Sequence, residues 1–167
     1  MRHIQKITPC LWFDDQAEEA IALYTGIFPN SKIVTVARYG KAGYEHHRKP
    51  AGTVMTVAFE LDGQAFTALN GGPMFKFNEA ISFQVSCETQ AEVDHYWGEL
   101  SKDGDEKAQM CGWLKDKYGV SWQIVPRVLI EMINDRDSEK SARVMEAMLQ
   151  MKKIDIEKLK RAYAGGV

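Results

Sequence analysis

Two stretches of this chain alternate between apolar and polar residues, and a helical pattern follows each of them. Residues 7–13 alternate, and apolar positions then recur at helical spacing from about residue 15 to residue 28. Residues 81–87 alternate in the same way, and a second helical pattern runs from about 89 to 100. Both helical segments open with Gln-Ala-Glu, at residues 16–18 and 90–92. This spacing predicts two copies of one α/β unit.

The first copy continues with three more predicted strands. Residues 33–39 are rich in β-branched side chains, and residues 40–52 read as a surface loop because glycine, proline and charges are frequent there. Residues 53–61 and 64–70 flank Asp62-Gly63. Asp-Gly supplies the positive φ angles of a tight turn, so these runs predict a hairpin.

The second copy ends in another predicted hairpin, formed by residues 108–114 and 120–125. After Pro126 only helical patterns remain. We therefore predict an α+β fold with two βαβββ modules that form one structural domain around a cavity. The predicted divisions are residues 1–79 for the first module and its linker, 80–126 for the second module, and 127–167 for a C-terminal helical extension.

Composition and charge limit the classes of partner and compartment. The chain has 167 residues, a net charge of −2 and a pI near 6.1, so no broad positive field favours nucleic acid or an anionic membrane. The three cysteines lack CxxC or Cys/His spacing, which argues against a disulfide framework and structural zinc. No apolar leader or membrane-spanning run is present. These features predict a cytoplasmic protein whose partner is a small molecule.

The strand faces opposite the apolar core carry a semi-polar set of side chains. Such a face suits a curved sheet that lines a ligand cavity. The alternative is a small polar core satisfied by internal water. The set comprises Thr8, Cys10, Trp12, Ser82, Gln84, Ser86, Ser121 and Gln123.

Four segments of this chain have a pattern known from one protein family: residues 9–14, 69–73, 77–83 and 116–124. They resemble the PhnB-like branch of the vicinal oxygen chelate superfamily, which includes glyoxalase I, bleomycin-resistance proteins and extradiol dioxygenases. The resemblance covers about residues 5–126. It implies two βαβββ modules that pair into an incomplete barrel around a cavity, usually in a homodimer, and often a similar helical tail. Many members carry the label 3-demethylubiquinone-9 3-methyltransferase.

Metal-dependent relatives place His or Glu on the first and last strands of each module. In this chain those positions correspond to Thr8, a residue near Ala68, Ser82 and Gln123. Only Gln123 could coordinate, and one neutral amide cannot hold a catalytic divalent ion. We therefore predict no metal and no cofactor. The adjacent pair His46 and His47 is expected in a solvated loop.

The methyltransferase label finds no motif in this sequence. No GxGxxG stands between a strand and a helix, and the glycines at 71 and 72 lead into an extended linker. No GxSxG, P-loop or HExxH is present either. Cys10 would act as a nucleophile only beside a histidine base, and the alternative is a small buried thiol. Catalytic residues are therefore not assigned.

The predicted function is metal-free binding of a small, partly apolar or aromatic molecule in the cavity between the modules. The alternative is an enzyme acting on a quinone-like or other small organic substrate. Trp12 suits either cavity lining or packing, Asn70 suits either ligand binding or capping of the Gly-Gly turn, and Trp113 is expected to pack. Gln84 and Gln123 are expected to meet across the cavity mouth as the polar pair that orients a ligand. The predicted ligand-binding residues are Thr8, Cys10, Trp12, Asn70, Ser82, Gln84 and Gln123.

Overall fold

The computed structural model describes residues 5–166, which divide into two compact units, one ending at Lys76 and the next beginning at Phe77. Both units mix helices and strands, which confirms the predicted α+β class. Residues 1–4, where the absence of a leader was expected, lie outside the described part of the chain. Within residues 5–166 no helix is long and apolar enough to cross a membrane.

The first unit has the predicted βαβββ order. Its elements are β1 Cys10–Phe13, α1 Ala17–Ile27, β2 Lys32–Arg38, α2 Tyr44–His47, β3 Val54–Leu61 and β4 Gln64–Asn70. The four strands form one sheet in the order β1-β4-β3-β2, with β1 parallel to β4 and the other pairs antiparallel. Core residues lie between α1 and β3, where Ile21, Tyr24 and Val57 are fully buried.

The predicted loop between β2 and β3 contains the one-turn helix α2. Gly43 and Arg48 flank it with positive φ angles of 78° and 53°. The His47 ring lies 4.5 Å from the Tyr39 ring, whereas His46 is largely exposed. The expectation of a solvated loop therefore holds for His46, while His47 packs within the folded loop.

The second unit begins with β5 Phe83–Cys87, α3 Gln90–Ser101, β6 Trp113–Lys115 and β7 Ser121–Pro126. Its strands form a three-stranded sheet in the order β5-β7-β6, one strand fewer than a full βαβββ module. As in the first unit, the first strand runs parallel to the last strand. Residues 102–108 form turns and a 3₁₀ helix, where the Asp105 side chain accepts from the Lys107 amide.

The predicted strand 108–114 is reduced to β6 by a tight turn. Met110 and Trp113 form an isolated antiparallel bridge, and the two residues between them have positive φ angles, 52° at Cys111 and 84° at Gly112. Positive φ at both central positions is typical of a two-residue type I′ hairpin. The extended run that the sequence predicts is therefore folded back on itself before β6 begins.

Three helices complete the second unit, as predicted: α4 Arg127–Ile133, α5 Ser138–Leu149 and α6 Ile156–Ala164. Asp137 and Asp155 cap α5 and α6 through their carboxylates. The helices share an apolar cluster with the end of β7. Its buried members are Leu129, Val144, Ile154 and Leu159.

Candidate functional site

Three of the predicted ligand-binding residues form a hydrogen-bonded group on the second sheet, which we call the polar row: Ser82, Gln84 and Gln123. The Gln123 Nε2 donates to Ser82 Oγ at 2.8 Å, and Gln84 Nε2 donates to Gln123 Oε1 at 3.3 Å. Gln84 and Gln123 are register partners in the parallel pair β5 and β7. The two glutamines therefore meet, as neighbours on adjacent strands, and their role in orienting a ligand stays a prediction.

The second unit also contains an apolar cleft of about 380 Å³, whose lining includes none of the three residues of the polar row. Trp113 lines this cleft and is the antiparallel register partner of Gln123, so the two side chains stand on the same face of the sheet. Trp113 therefore contributes to a cleft wall, whereas the sequence favoured simple packing. We call this the Trp113 cleft; its lining residues are Glu79, Lys107, Ala108, Met110, Cys111 and Trp113.

Charged and polar groups border the Trp113 cleft. Glu79 pairs with Lys115, and the hydrogen bond from the Lys115 ammonium lowers the pKa of the Glu79 carboxyl. Ser121 lies opposite Lys115 in the β6 and β7 register and is 2% exposed. Its Oγ has no hydrogen-bond partner within residues 5–166. A buried hydroxyl in this state is a group that water or a ligand can satisfy.

Cys10 and Trp12 of the first unit occupy the face of β1 opposite Leu11 and Phe13, as the alternation predicts. Cys10 is exposed, so the alternative of a buried thiol is wrong, although partial burial raises the pKa of its thiol. Trp12 is half-buried and donates through Nε1 to the Gly72 carbonyl at 2.8 Å. The remaining predicted residue of this face, Thr8, is exposed ahead of β1.

Asn70 is buried and makes structural hydrogen bonds. Its Oδ1 accepts from the Ala17 amide at 2.8 Å, and its Nδ2 donates to the Val54 carbonyl at 3.1 Å. Asn70 thus caps helix α1, which neither sequence alternative had named. It also lines a polar cleft of about 430 Å³, whose lining does not include Thr8, Cys10 or Trp12. The residues that line this cleft are Asp15, Glu18, Arg38, Lys49, Pro50, Thr53, Val54 and Asn70.

Comparison with known families decides the relationship of this chain. Residues 5–125 match the family model described as 3-demethylubiquinone-9 3-methyltransferase. The chain belongs to this family. That assignment confirms the resemblance to the PhnB-like branch of the vicinal oxygen chelate superfamily and its glyoxalase/bleomycin resistance-like fold. None of the curated proteins compared with this chain matches it.

Several solved structures are similar to this chain. A PhnB protein from Bacillus cereus, which carries the same methyltransferase description, is 38% identical, with a TM-score of 0.64; the alignment covers 73% of this chain and 99% of that chain. Protein PA1353 from Pseudomonas aeruginosa is 17% identical, with a TM-score of 0.56, and the alignment covers 74% and 98%. The FosX fosfomycin resistance protein from Listeria monocytogenes is 14% identical, with a TM-score of 0.47, over 77% and 98%.

The residues at the metal positions of this superfamily do not fit a divalent ion. Ala68 is fully buried and carries no donor atom, and Thr8 is exposed. Ser82 and Gln123 do lie together, but both are neutral and bond to each other. Divalent transition metals need several imidazole, thiolate or carboxylate ligands. Within residues 5–166 no group of three or more His, Cys, Asp or Glu side chains is arranged to hold a metal.

Gly71 and Gly72 do not form a binding site for S-adenosylmethionine of the kind that Rossmann-like methyltransferases have. There a glycine-rich turn leaves backbone open to the cofactor at the start of a helix. Here a Cβ on Gly71 would lie 2.2 Å from the Trp12 ring, so the indole already occupies that space. The segment that follows Gly72 enters no helix before β5.

Proposed function

We propose that this protein binds a small, partly apolar or aromatic molecule without a metal ion. The ligand would lie in the Trp113 cleft, with its polar edge toward the polar row. One observation carries the proposal: Gln123 is bonded to Ser82 and Gln84 and is also the register partner of Trp113. An aromatic wall and a preassembled row of amide and hydroxyl groups therefore share one face of the sheet.

The lining of the Trp113 cleft supports this ligand class. Small-molecule sites are mostly apolar and contain a few oriented polar groups, with volumes of roughly 300–1,000 Å³. The cleft falls in this range, and Met110, which is 62% exposed, supplies a flexible thioether beside the indole.

The test is ¹⁹F NMR of protein labelled with 5-fluorotryptophan and titrated with 1-naphthol. Trp113→Phe assigns the Trp113 resonance by its loss. We expect 1-naphthol to shift that resonance because its fused rings would contact the indole. A titration that leaves the Trp113 resonance unchanged at millimolar 1-naphthol, or shifts only another tryptophan, would contradict the proposal.

The polar row is tested by Gln123→Leu in the same titration. Removal of a hydrogen-bonding group of this kind costs about 0.5–1.5 kcal/mol, so the Kd should rise about 3- to 10-fold. Gln64→Leu is the matched control, because Gln64 is exposed at the start of β4 in the first unit. Equal Kd values for Gln123→Leu and Gln64→Leu would exclude a role for the row.

The metal-free part of the proposal has its own test. Protein treated with EDTA should bind 1-naphthol with an unchanged Kd, and added Zn²⁺ or Mn²⁺ should alter that Kd less than twofold. The reason is that Glu79 and Cys111 are too few ligands among the residues that line the cleft, and within residues 5–166 no group of three or more His, Cys, Asp or Glu side chains is arranged to hold a metal. Tight stoichiometric metal, with affinity lost on its removal, would overturn this part.

An enzyme acting on a quinone-like or other small organic substrate is the second candidate, and the family description favours it. It is tested by incubating the protein with S-adenosylmethionine and a hydroxylated benzoquinone, followed by mass spectrometry. Binding without chemistry predicts no methylated product. A methylated quinone formed at a rate that depends on protein concentration would establish the enzyme instead.

We also propose that the protein is a cytoplasmic homodimer. The family resemblance supports dimerisation, and β2 lies at an edge of its sheet with Ile33 and Val34 exposed at 42% and 53%. Cys10, Cys87 and Cys111 are all free thiols, which supports a reducing compartment. Light scattering at micromolar concentration should give twice the 18.9 kDa chain mass; a monomer would contradict dimerisation.

A further inference from the structure

The turn that carries half of the Trp113 cleft is bonded to the C-terminal extension. The Cys111 amide donates to the Met151 carbonyl at 2.8 Å, and the Gly112 amide donates to the Lys152 carbonyl at 2.8 Å. Met151 and Lys152 lie in the connection between α5 and α6. The two backbone amides exposed at the tip of a type I′ turn are therefore both taken up by this connection.

Gly112 is held from three sides. Its carbonyl accepts from the Ile124 amide of β7 at 2.8 Å, while its own amide reaches Lys152. A Cβ at this position would lie 2.9 Å from the Ile124 carbonyl oxygen and 3.2 Å from Ile154 Cγ1. The φ angle of 84° already favours glycine. The turn thus packs between β7 and residues 151–154. We call residues 151–154 the connector.

The connector is in turn fixed to helix α3. Gln90 Nε2 donates to the Ile154 carbonyl at 3.1 Å, and Gln90 Oε1 accepts from the Ile156 amide at 2.9 Å. Lys153 forms an ion pair with Asp94, one turn further along α3. Ile154 itself is 1% exposed within the apolar cluster of the extension. The connector therefore has few ways to move without loss of contacts.

From these contacts we infer that the connector is a positioning element of the Trp113 cleft, which sets the placement of Met110, Cys111 and Trp113 and with it the affinity for an aromatic ligand. This inference rests on the proposed function. The connector lies beyond residues 5–125 that match the family model, and about a quarter of this chain has no counterpart in the B. cereus PhnB protein. Cleft geometry would then depend on a segment outside the matched family region.

Gln90→Ala tests the inference because it removes the hydrogen bonds to Ile154 of the connector and to Ile156 just after it, without touching the cleft lining. Its matched control is Gln16→Ala, the corresponding position of the first copy, where the side chain accepts only from the neighbouring Asp15 amide. A second variant, Lys153→Ala, loosens the connector through an exposed ion pair, and its effect on global stability should be small.

Two measurements are made on each folded variant. Hydrogen exchange of the Cys111 and Gly112 amides reports directly on the turn, and the ¹⁹F titration with 1-naphthol reports on the cleft. For Gln90→Ala we expect exchange of both amides to accelerate at least 10-fold and the Kd for 1-naphthol to rise about 3- to 10-fold. Lys153→Ala should show smaller changes of the same sign, and Gln16→Ala should leave both quantities within twofold of wild type.

The outcomes separate this inference from the proposed function. In one outcome, wild-type protein binds 1-naphthol at Trp113, and Gln90→Ala and Lys153→Ala have the wild-type exchange rates and the wild-type Kd. The connector then has no positioning role, while the proposed binding site is retained. If exchange accelerates but Kd is unchanged, the connector supports the turn only, and the inference is wrong. If wild-type protein does not bind at Trp113, the proposed function fails and the inference fails with it.

Discussion

Asn70 caps helix α1 from the end of strand β4. Its side-chain Oδ1 accepts from the Ala17 amide at 2.8 Å, across 53 positions of sequence. The residue before the helix, Gln16, makes no side-chain cap, so Asn70 supplies the acceptor that a local Ser, Thr or Asp usually provides. One buried amide thereby joins the first helix to the last strand of the first unit.

Asn70→Ala should destabilise the protein by about 2–4 kcal/mol. The substitution removes the helix cap, worth about 0.5–2 kcal/mol, and leaves the Val54 carbonyl without its partner, at about 1–3 kcal/mol. Urea unfolding measures the change. Asn78→Ala is the control, because Asn78 is exposed and accepts only from the nearby Ala80 amide; its effect should stay within about 0.5 kcal/mol. Equal effects of the two variants would contradict the capping role.

Gly71→Ala should destabilise the first unit by about 1–3 kcal/mol, the usual cost of overpacking. The new Cβ would lie 2.2 Å from the Trp12 ring, so the indole must move and lose its bond to the Gly72 carbonyl. Gly26→Ala, in helix α1 of the same unit, meets no atom within 4 Å and should instead add about 0.5–1 kcal/mol. Thermal unfolding measures the stability of both variants relative to wild type. An unchanged stability of Gly71→Ala would show that the Trp12 ring is not fixed against Gly71.

Cys87 should resist alkylation in the folded protein while Cys10 reacts. Burial, with a smaller contribution from Glu92, raises the pKa of the Cys87 thiol to about 12, and the side chain is fully buried. Thiolate is the reactive form, so almost none is present at pH 8. Iodoacetamide labelling followed by peptide mass spectrometry should find Cys10 modified and Cys87 modified only after denaturation. Labelling of Cys87 at the rate of Cys10 would contradict this.

The hydrogen bond between Tyr163 and Asp135 should make the stability of the C-terminal helices depend on pH. The Tyr163 hydroxyl donates to Asp135 at 2.6 Å, which lowers the pKa of Asp135 from 3.8 and raises the pKa of Tyr163 from 10.0. A lowered carboxyl pKa stabilises the fold above pH 3.8, and a raised phenol pKa stabilises it below pH 10.0.

Tyr163→Phe tests this dependence. The stability difference between wild type and Tyr163→Phe should be constant at neutral pH. It should shrink as the pH falls below about 4, where Asp135 takes up a proton, and again above about 10, where Tyr163 loses one. Urea unfolding across this range measures it. A difference that does not change with pH would mean that the hydrogen bond makes no contribution in solution.

Local patterns in the sequence predicted most of the secondary structure. Period-two alternation placed β1 and β5, Asp62-Gly63 placed the β3 and β4 hairpin, and Pro126 marked the start of the helical extension, because each depends on neighbours within a few residues. The predicted strand over residues 108–114 was wrong over its first part, since a tight turn at Cys111 and Gly112 folds that run back before β6. Cysteine is uncommon at positive φ, so Cys111 does not indicate a turn to a reader of the sequence.

The sequence by itself determined the α+β class, the duplicated pattern and the meeting of Gln84 with Gln123, because strand periodicity fixes which side chains share a face. Only the tertiary structure decided the rest. The cap of α1 by Asn70, the cleft wall at Trp113 and the support of its turn by Met151 and Lys152 all join residues that are distant in sequence or in different elements. Contacts of this kind depend on strand register and on the positions of backbone groups. A pattern of neighbouring side chains in the sequence does not indicate them.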